Sequence, residues 1–392
     1  EVRLPGYRPA VKGHPRQVKA AVDLIEQAER PVLYVGGGVV AADATEELQR
    51  FAEMLDVPMV TTLMARGAFP DSNPLNLGMP GMHGTYAATT AMQRSDLLIT
   101  IGARFDDRIT GNPKHFAPEA KVIHVDVDPA EIGKIRVADV PVVGDARSVL
   151  QQLIVETERR GPQPDRAEWL AVVHGWETAH PLSYVQDPDG PIQQQYVIEE
   201  LHRITDGDAT IVAGVGQHQM WASQFWGFDE PRRWINSGGL GTMGYAIPAA
   251  IGAKAGTPDQ VVFAIDGDGC FQMTGTELIT AAVENIPIKI AVMNNQSLGM
   301  VKQWQNLFYD GRLSQTELSP TVPDFVKFAE ACGCVGLRAD RPDEVAGVIE
   351  QALAINDRPV LVEFTCDPES MVFPMVPAGG SNDNVVLGPE DL

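Results

Sequence analysis

The residues best suited to chemistry are oxygen ligands that directly follow two apolar runs. Asp268 lies in GDG after the run VVFAI, and Asn295 and Ser297 lie in NNQS after the run IKIAVM. A carboxylate, an amide oxygen and the backbone carbonyl of Ser297 are hard ligands suited to an octahedral Mg²⁺ that also keeps phosphate oxygens. The glycines beside the carboxylate, Gly267 and Gly269, let backbone N–H groups approach a diphosphate. The pattern therefore predicts a magnesium and diphosphate site.

Either half of this pattern has a plainer interpretation. GDG alone is equally compatible with a tight turn, and NN alone with an ordinary loop, so the specificity comes from finding both after apolar strands. Thr274 and Glu277 have the spacing of a capping box and are predicted to open the helix between the two strands.

The elements that must position these residues alternate between helical periodicity and short apolar runs, which is typical of parallel sheets covered by helices. A first series predicts a domain over residues 1–160, and a second predicts another over residues 191–392. The stretch between them, residues 161–190, is rich in Pro, Gly and Asp and is predicted to be a linker. The fold class is therefore α/β, with two doubly wound parallel-sheet domains.

Three loops of the second domain, AGVGQHQ, IDGDG and VMNNQ, follow apolar strands and would converge if those strands are neighbours. The tail that begins at Met371 has no periodicity and is interpreted as part of the second domain and as a mobile closing segment.

Composition excludes several classes of partner. The chain has 392 residues, 30 Lys and Arg against 52 Asp and Glu, and a net charge of −22, so nucleic acid and anionic membranes are not expected to bind. No apolar stretch has the length of a membrane span, and the first residues show no signal-peptide pattern, so a cytoplasmic location is predicted. The four cysteines have no metal or redox spacing and are interpreted as reduced thiols.

The paired GDG and NN motifs resemble the signature of the thiamin-diphosphate enzymes. The resemblance implies that Asp268, Asn295 and the carbonyl of Ser297 bind Mg²⁺. It assigns the cofactor itself to two loops, and the residues concerned are Gly216, Gln217, His218, Gly267, Gly269 and Cys270.

Longer matches extend over nearly the whole chain, among them GVGQHQMWASQFW, INSGGLGTMGYAIPAAIGAK and GARFDDRITGN. They are similar to the catalytic subunits of the acetohydroxyacid synthase family. The resemblance implies that Met243 supports the bent form of the cofactor and that Trp304, with Met300 one turn before it, shapes the acceptor pocket. Arg108 would clamp the carboxylate of the second 2-keto acid, because a guanidinium matches a carboxylate with two hydrogen bonds.

The family's central domain binds FAD, which implies an FAD site in the first domain and a diphosphate-binding role for the second. The run GGG after PVLYV lacks the spacing of a dinucleotide fingerprint and would otherwise be interpreted as a tight turn. The residues that the resemblance assigns to FAD are Gly36, Gly37, Gly38, Thr62, Leu63, Met82, His83, Gly102, Ala103, Arg104, Arg108, Asp126, Val127 and Asp145.

The implied reaction decarboxylates pyruvate on thiamin diphosphate and transfers the hydroxyethyl unit to a second pyruvate or to 2-ketobutyrate, the first common step of branched-chain amino acid synthesis. The implied partners are a second copy in a homodimer or larger homo-oligomer, and a regulatory small subunit. In the family a catalytic glutamate comes from an amino-terminal domain. The sequence EVRLPGYRPAVKGHP resembles the connector after that domain. This chain alone is therefore expected to be inactive.

Two other interpretations remain open. The first is another FAD-containing thiamin-diphosphate carboligase or a pyruvate oxidase, for which the distinguishing observation is whether Arg108 and Trp304 line one pocket. The second is a non-catalytic nucleotide-binding module. The presence of Asp268, Asn295, Met243 and Arg108 together disfavours loss of the active site.

Overall fold

A computed structural model describes residues 9–391 of the chain, so most of the predicted connector, residues 1–8, lies outside the described residues. The chain forms two compact units. Among the described residues, the first unit contains residues 9–181 together with Asp229–Pro231 and Pro374–Asp391. The second contains Leu182–Phe228 and Arg232–Phe373.

The first unit is a five-stranded parallel sheet with the order β2-β1-β3-β4-β5. Its strands are β1 Pro31–Val35, β2 Met59–Thr61, β3 Leu97–Ile101, β4 Lys121–Asp126 and β5 Val140–Val143. Its helices are α1 Pro15–Gln27, α2 Gly37–Ala41, α3 Thr45–Leu55, α4 Tyr86–Arg94, α5 Asp107–Thr110, α6 Ala146–Arg160 and α7 Ala167–Ala179, with a 3-10 helix at Leu63–Ala65 and another in the tail at Pro389–Asp391.

Strand β1 shows why this sheet carries helices on both faces. All five of its residues are buried, and the run PVLYV has no polar position that could face water. Leu33 and Val35 pack into a core with α1, α3 and α6. Val32 and Tyr34 point to the opposite core, which α4 and α7 cover. A parallel strand that is apolar on both faces requires this double layer of helices.

The second unit is a six-stranded parallel sheet with the order β10-β11-β9-β8-β6-β7. Its strands are β6 Thr210–Ala213, β7 Trp234–Asn236, β8 Val262–Gly267, β9 Lys289–Asn294, β10 Val335–Ala339 and β11 Val360–Thr365. Its helices are α8 Gln194–Thr205, α9 Gln217–Phe225, α10 Ala246–Gly256, α11 Asp268–Phe271, α12 Leu278–Val283, α13 Gly299–Phe308, α14 Phe325–Ala331 and α15 Pro342–Ala354, with a 3-10 helix at Gly275–Glu277.

The predicted fold class, two doubly wound parallel sheets, is confirmed. The strand order reverses between β1 and β3 in the first sheet and between β6 and β8 in the second, where β11 in addition lies between β9 and β10. Ligands of open α/β sheets bind beyond the carboxyl ends of the strands at such a reversal. The topology therefore places one candidate crevice in each unit.

The boundaries differ from those expected. Residues 161–190 were predicted to be a linker, but they include α7, and Trp169 donates a hydrogen bond to the carbonyl of Pro31 at 3.1 Å from within the first unit's core. The helical amphipathicity of this stretch is weak, so its burial depends on tertiary contacts that the sequence does not display. Tertiary packing commonly overrides such weak local signals.

The tail was assigned to the second domain, and the structure corrects this. Pro374–Asp391 belongs to the first unit, where the Val376 amide donates to the carbonyl of Met82 at 2.8 Å and Asn382 donates to the carbonyl of Ile109 at 3.0 Å. These partners lie far away along the chain, and the tail has no periodic pattern that could reveal them.

Within the described residues, no helix combines the length and the apolar character that crossing a membrane requires. The four cysteines are free thiols, as predicted.

Candidate functional site

The three polar loops of the second unit follow adjacent strands. Strands β6, β8 and β9 are neighbours, so the sequences AGVGQHQ, IDGDG and VMNNQ meet at the carboxyl edge of the sheet. The expected convergence is therefore confirmed. The loops after β6 and β8 flank the reversal in strand order.

The three predicted metal ligands are buried together at this edge. Asp268, Asn295 and Ser297 are 3%, 5% and 4% exposed. The carboxylate of Asp268 accepts the backbone N–H of Gly269 at 2.8 Å, and the backbone N–H groups of Gln296 and Ser297 lie close enough to lower its pKa. The loop after β9 therefore wraps around the carboxylate that begins α11.

Burial raises the pKa of Asp268 to about 7, although the backbone N–H groups of Gly269, Gln296 and Ser297 oppose this rise. Among the described residues, Asp268 has no ion pair with a basic side chain. A carboxylate removed from water without a cation is costly, and a bound divalent ion would offset that cost. The donor set consists of hard oxygens, so these residues fit Mg²⁺.

The loop that carries two of these ligands is held by an antiparallel bridge between Ser297 and Glu317. The amide of Ser297 donates to the side-chain oxygen of Asn295 at 3.3 Å. The amide of Leu298 donates to the carbonyl of Thr316 at 2.8 Å, and Leu318 donates to the carbonyl of Gln296 at 2.8 Å. The ligand positions are therefore largely preformed.

Gln217 was predicted to hold the diphosphate, but its side chain is occupied within the protein. Its Nε2 donates to Oε1 of Gln303 at 3.1 Å and to the carbonyl of Ser370 at 2.9 Å. Its Oε1 accepts from Asn295 at 3.2 Å. A Cβ at Gly299 would lie 2.0 Å from that same oxygen, so the glycine leaves room for the contact. Gln217 thus also contacts a metal-ligand candidate, Asn295.

His218 lies between the two glycine-bearing loops. Its ring occupies the space that a Cβ at Gly216 or Gly267 would enter, at 2.8 and 2.9 Å. Burial lowers the pKa of His218 to about 3, so the ring is neutral near pH 7. Its Nε2 lies 3.7 Å from Oδ1 of Asp266, which is fully buried. The two glycines therefore have a packing role in addition to any contact with phosphate.

The thiol of Cys270 connects three loops, a function that the sequence did not indicate. Its Sγ accepts the backbone N–H of Gly244 at 3.0 Å and that of Val215 at 3.4 Å. Met243 directly precedes Gly244, so the predicted cofactor support is tied to the start of α11. Cys270 was predicted only as a member of the cofactor loop, and sulfur is a weak acceptor that leaves no sequence pattern.

We expect Cys270→Ala to destabilise the second unit by about 1–2 kcal/mol, because two buried N–H groups lose their acceptor. Thermal unfolding of the purified protein measures this, with Cys332→Ala as the control at a half-buried thiol. Equal stability of the two variants would show that the sulfur contacts contribute nothing.

The predicted capping box at Thr274 and Glu277 is wrong. The hydroxyl of Thr274 donates to the carbonyl of Gly244 at 2.7 Å, and the carboxylate of Glu277 accepts from Thr280 at 3.0 Å. Thr274 makes no capping hydrogen bond to the 3-10 helix that follows it. The hydroxyl of Thr274 therefore contacts the loop that carries Met243 and Gly244 and does not cap the helix that follows it.

Met300 and Trp304 lie one turn apart on α13, as their spacing predicted. Both are half-buried, and the ring of Trp304 packs edge-on against that of Phe308 at 5.8 Å between centroids. Trp304 lies in the second unit and Arg108 in the first.

The predicted FAD residues lie at or near the carboxyl edge of the first sheet. Gly36 follows β1, Thr62 follows β2, Gly102 follows β3 and Asp126 ends β4. Asp145 follows β5 shortly afterwards. The structure therefore brings these residues to one edge, and the loops after β1 and β3 flank the strand reversal.

The glycines of the first loop have a packing role that the sequence did not reveal. A Cβ at Gly36 would lie 2.2 Å from the carbonyl oxygen of Gly102 and 2.4 Å from Cα of Ala103. A Cβ at Gly38 would lie 2.7 Å from Cα of Gly102. The backbone of this loop therefore lies directly against the backbone of the loop after β3, and only glycine leaves enough space at positions 36 and 38. Gly37, whose Cβ would lie 3.1 Å from Cβ of Met64, faces the 3-10 helix.

Two other predicted FAD residues have structural partners. Asp145 is the N-cap of α6 and accepts the amide of Ser148 at 3.1 Å. Asp126 accepts the amide of Asp128 at 2.8 Å. Val127, the predicted FAD residue that directly follows Asp126, is 53% exposed.

The loops that carry Met82 and Arg108 are joined. The amide of Met82 donates to the carbonyl of Arg108 at 2.7 Å, while the guanidinium of Arg108 lies 3.1 Å from Asp107 and its side chain is 62% exposed. Burial lowers the pKa of His83 to about 4, so this ring is also neutral near pH 7. Arg104 is half exposed and pairs with Asp106 at 2.8 Å.

A cavity of about 200 Å³ lies beside this loop. Residues 105–107, 110, 111, 113, 131, 134 and 135 line it. Ligand pockets typically measure about 300–1,000 Å³, so the cavity alone does not identify a dinucleotide site.

Comparison with known families and proteins agrees with both units. Residues 18–153 match the family of thiamine pyrophosphate enzyme central domains, and residues 214–364 match the C-terminal TPP binding domain of thiamine pyrophosphate enzymes. An acetolactate synthase of Mycobacterium bovis is 58% identical over 98% of this chain and 63% of that protein. The acetolactate synthase large subunit of Corynebacterium glutamicum is 56% identical over 98% of this chain and 62% of that protein. The acetolactate synthase isozyme 3 large subunit of Escherichia coli is 43% identical over 98% of this chain and 68% of that protein.

Proposed function

Because the chain belongs to the family of acetolactate synthase large subunits, we propose that it forms the metal- and diphosphate-binding part of a thiamin-diphosphate-dependent acetolactate synthase. The observation that supports this most strongly is the burial of Asp268, Asn295 and Ser297 together beside a strand reversal. The chain spans about 63% of the length of the first relatives it matches. The reaction, its substrates and its partners are therefore proposals for the whole protein.

The proposed reaction converts pyruvate and a second pyruvate or 2-ketobutyrate to an acetohydroxy acid with loss of CO₂. Thiamin diphosphate would supply the electron sink for decarboxylation. The protein would hold Mg²⁺ through Asp268, Asn295 and the carbonyl of Ser297. Met243, fixed through its neighbour Gly244, would support the cofactor.

The neutral state of His218 bears on how a diphosphate would be held. With its pKa lowered to about 3, the ring can donate one N–H without bringing a positive charge. Charge neutralisation would then fall to the metal ion and to backbone N–H groups of the glycine-bearing loops.

The proposal also includes FAD in the first unit and a cytoplasmic location. Support for FAD comes from the family and from the convergence of the loops after β1, β2, β3 and β4 at one edge. The loops that carry Gly36 and Gly102 flank the strand reversal, where ligands of open α/β sheets bind. Exposed Arg104 offers a cation at this edge.

Association with a second copy is supported by apolar side chains exposed on the second unit. Ile279 and Val283 on α12 are 50% and 69% exposed, and Met273 and Leu240 are 57% and 94% exposed. Ile279 and Val283 lie four residues apart and therefore share one face of α12, and a contiguous apolar face favours a protein interface. The relatives named large subunits further suggest a small-subunit partner. Sedimentation of the holoenzyme measures its size.

The test of function is an assay of acetolactate from pyruvate by the holoenzyme with Mg²⁺, thiamin diphosphate and FAD. We expect Arg108→Lys to lower kcat/KM for the acceptor about 10- to 100-fold, because an ammonium cannot reproduce a two-bond clamp on a carboxylate. Arg50→Lys is the matched control, since Arg50 is similarly exposed at 61% and pairs with Glu158.

Each alternative has its own signature in this assay. Pyruvate consumption that requires O₂ and gives no acetolactate would favour a pyruvate oxidase. Cofactor binding without turnover in the folded wild-type protein would favour a non-catalytic module. Identical kinetics of Arg108→Lys and Arg50→Lys would contradict the carboxylate clamp.

A further inference from the structure

Glu363 is a charged side chain in the interior of the second sheet. It lies in β11, within the run VLVEFT, and is 4% exposed. Burying a carboxylate is costly unless both oxygens have partners. A glutamate at this position therefore needs an explanation beyond packing.

Both oxygens of Glu363 have partners on the flanking strands. Oε2 accepts two hydrogen bonds from Arg338 of β10, from Nε at 3.0 Å and from a terminal nitrogen at 2.8 Å. Oε1 accepts from Nδ2 of Asn294, the last residue of β9, at 2.7 Å. A hydrogen-bonded chain thus crosses three adjacent strands and ends beside Asn295.

The chain continues into the proposed metal loop. Oδ1 of Asn294 accepts the backbone N–H of Gln296 at 3.2 Å. Gln296 has a φ of 59°, in the left-handed region that few side chains adopt, so this hydrogen bond supports a costly turn. The turn lies between the two predicted ligands Asn295 and Ser297.

The chemistry of Glu363 fixes which way the Asn294 amide faces. A carboxylate can only accept, so Asn294 must turn its NH₂ group toward Glu363. Its oxygen is then left for the Gln296 N–H. A glutamine at position 363 could instead offer its own NH₂ group, which would allow Asn294 to reverse and lose its contact with Gln296.

We propose that Arg338, Glu363 and Asn294 position the Mg²⁺ loop, with the Glu363 carboxylate setting the orientation of the Asn294 amide and thereby the turn at Gln296. None of the three contacts the metal in this scheme. The inference rests on the proposed metal site and adds residues that would control its affinity. Partners outside the ligand shell typically change metal affinity about 10- to 100-fold when replaced.

The test is Mn²⁺ binding to the holoenzyme with thiamin diphosphate, followed by the electron paramagnetic resonance signal of free Mn²⁺. We expect Glu363→Gln to weaken Mn²⁺ binding about tenfold, with kcat at saturating metal changed less than about twofold. Glu350→Gln is the matched control, because it removes the same charge from an exposed position on α15.

A second pair of variants tests the orientation argument itself. Asn294→Asp alone places two carboxylates against each other and should weaken Mn²⁺ binding at least as much. Combining Asn294→Asp with Glu363→Gln keeps the total charge and exchanges donor for acceptor. The glutamine NH₂ group would donate to the new aspartate, whose other oxygen would accept from Gln296. We expect the double variant to recover Mn²⁺ affinity to within about threefold of wild type.

A measurement on the metal-free protein tests the positioning chain even where a variant is too unstable for metal titration. Hydrogen exchange of the metal-free protein should show faster exchange at the Gln296 amide in Glu363→Gln and in the milder Arg338→Lys, but not in Glu350→Gln. Unchanged exchange, unchanged Mn²⁺ affinity in Glu363→Gln, or no recovery in the double variant would each overturn the positioning chain. Failure of the wild-type holoenzyme to bind Mn²⁺ would instead overturn the proposed metal site and remove the basis of this inference.

Discussion

Asp268→Ala is expected to weaken Mn²⁺ or Mg²⁺ binding at least about 100-fold, which corresponds to about 2.7 kcal/mol, and to abolish detectable acetolactate formation. The side chain is the only carboxylate among the proposed ligands, and it accepts the backbone N–H of Gly269 at 2.8 Å. Removing it leaves two neutral oxygens, which cannot offset the charge of a divalent ion bound beside a diphosphate.

Metal binding by the holoenzyme in the presence of thiamin diphosphate measures the effect. Asp259→Ala is the control, because Asp259 is exposed in the loop before β8 and lies in the same unit. Removal of metal from the wild-type protein with a chelator should give the same loss of activity, reversed by added Mg²⁺. Asp268→Ala protein that binds Mn²⁺ like the Asp259→Ala control would exclude this site.

The isosteric change Asp268→Asn separates binding from stability. In the metal-free protein, burial of the carboxylate is unfavourable, as the rise of its pKa to about 7 indicates. We expect the neutral amide to leave the metal-free protein as stable as wild type or more stable, while metal affinity falls. A gain in the stability of the metal-free protein together with a loss of metal affinity would show that Asp268 serves metal binding and does not stabilise the fold.

The fold and the centre of this site were predictable because they follow from local patterns. Apolar runs with no polar position, such as β8 and β9, indicate parallel strands, and the residues after such strands must lie at one edge. This pattern alone predicts that Asp268 and Asn295 lie together. The proposed role of Ser297 as a ligand depends on the same loop.

The rest depended on contacts between distant segments. Gln217 has the residue type of an anion ligand, yet Gln303 and Ser370, far along the chain, occupy its amide group. The tail lacks periodicity, so the sequence could not predict that it packs in the first unit. Thr274 shows the limit of local rules, because its hydroxyl has a tertiary partner in Gly244 in place of a helix cap.

The packing role of the glycines was the feature least visible in the sequence. A Gly-rich turn after a strand suggests a phosphate site, but at Gly36 the backbone has a φ of −116° and a ψ of 177°, which any residue can adopt. The glycine is therefore required for space and not for conformation. The atoms that a Cβ would meet belong to the backbone of Gly102 and Ala103, which cannot rotate away.

We therefore expect Gly36→Ala to destabilise the first unit by at least about 3 kcal/mol, because the added carbon would lie 2.2 Å from the carbonyl oxygen of Gly102. For a unit of this size that loss lowers the midpoint of thermal unfolding by about 6–12 °C. Gly175→Ala is the matched control. Gly175 lies in α7 of the same unit, and its Cβ would meet nothing within 4 Å.

The control should be neutral or stabilising by up to about 1 kcal/mol, since alanine favours a helix interior over glycine. Calorimetry of both variants gives the comparison, and hydrogen exchange in β1 and β3 locates the change. Equal unfolding midpoints for Gly36→Ala and Gly175→Ala would show that the loops after β1 and β3 are not in backbone contact. In that case a phosphate ligand would again be the better explanation for the glycines at this edge, because the backbone would be free to receive one.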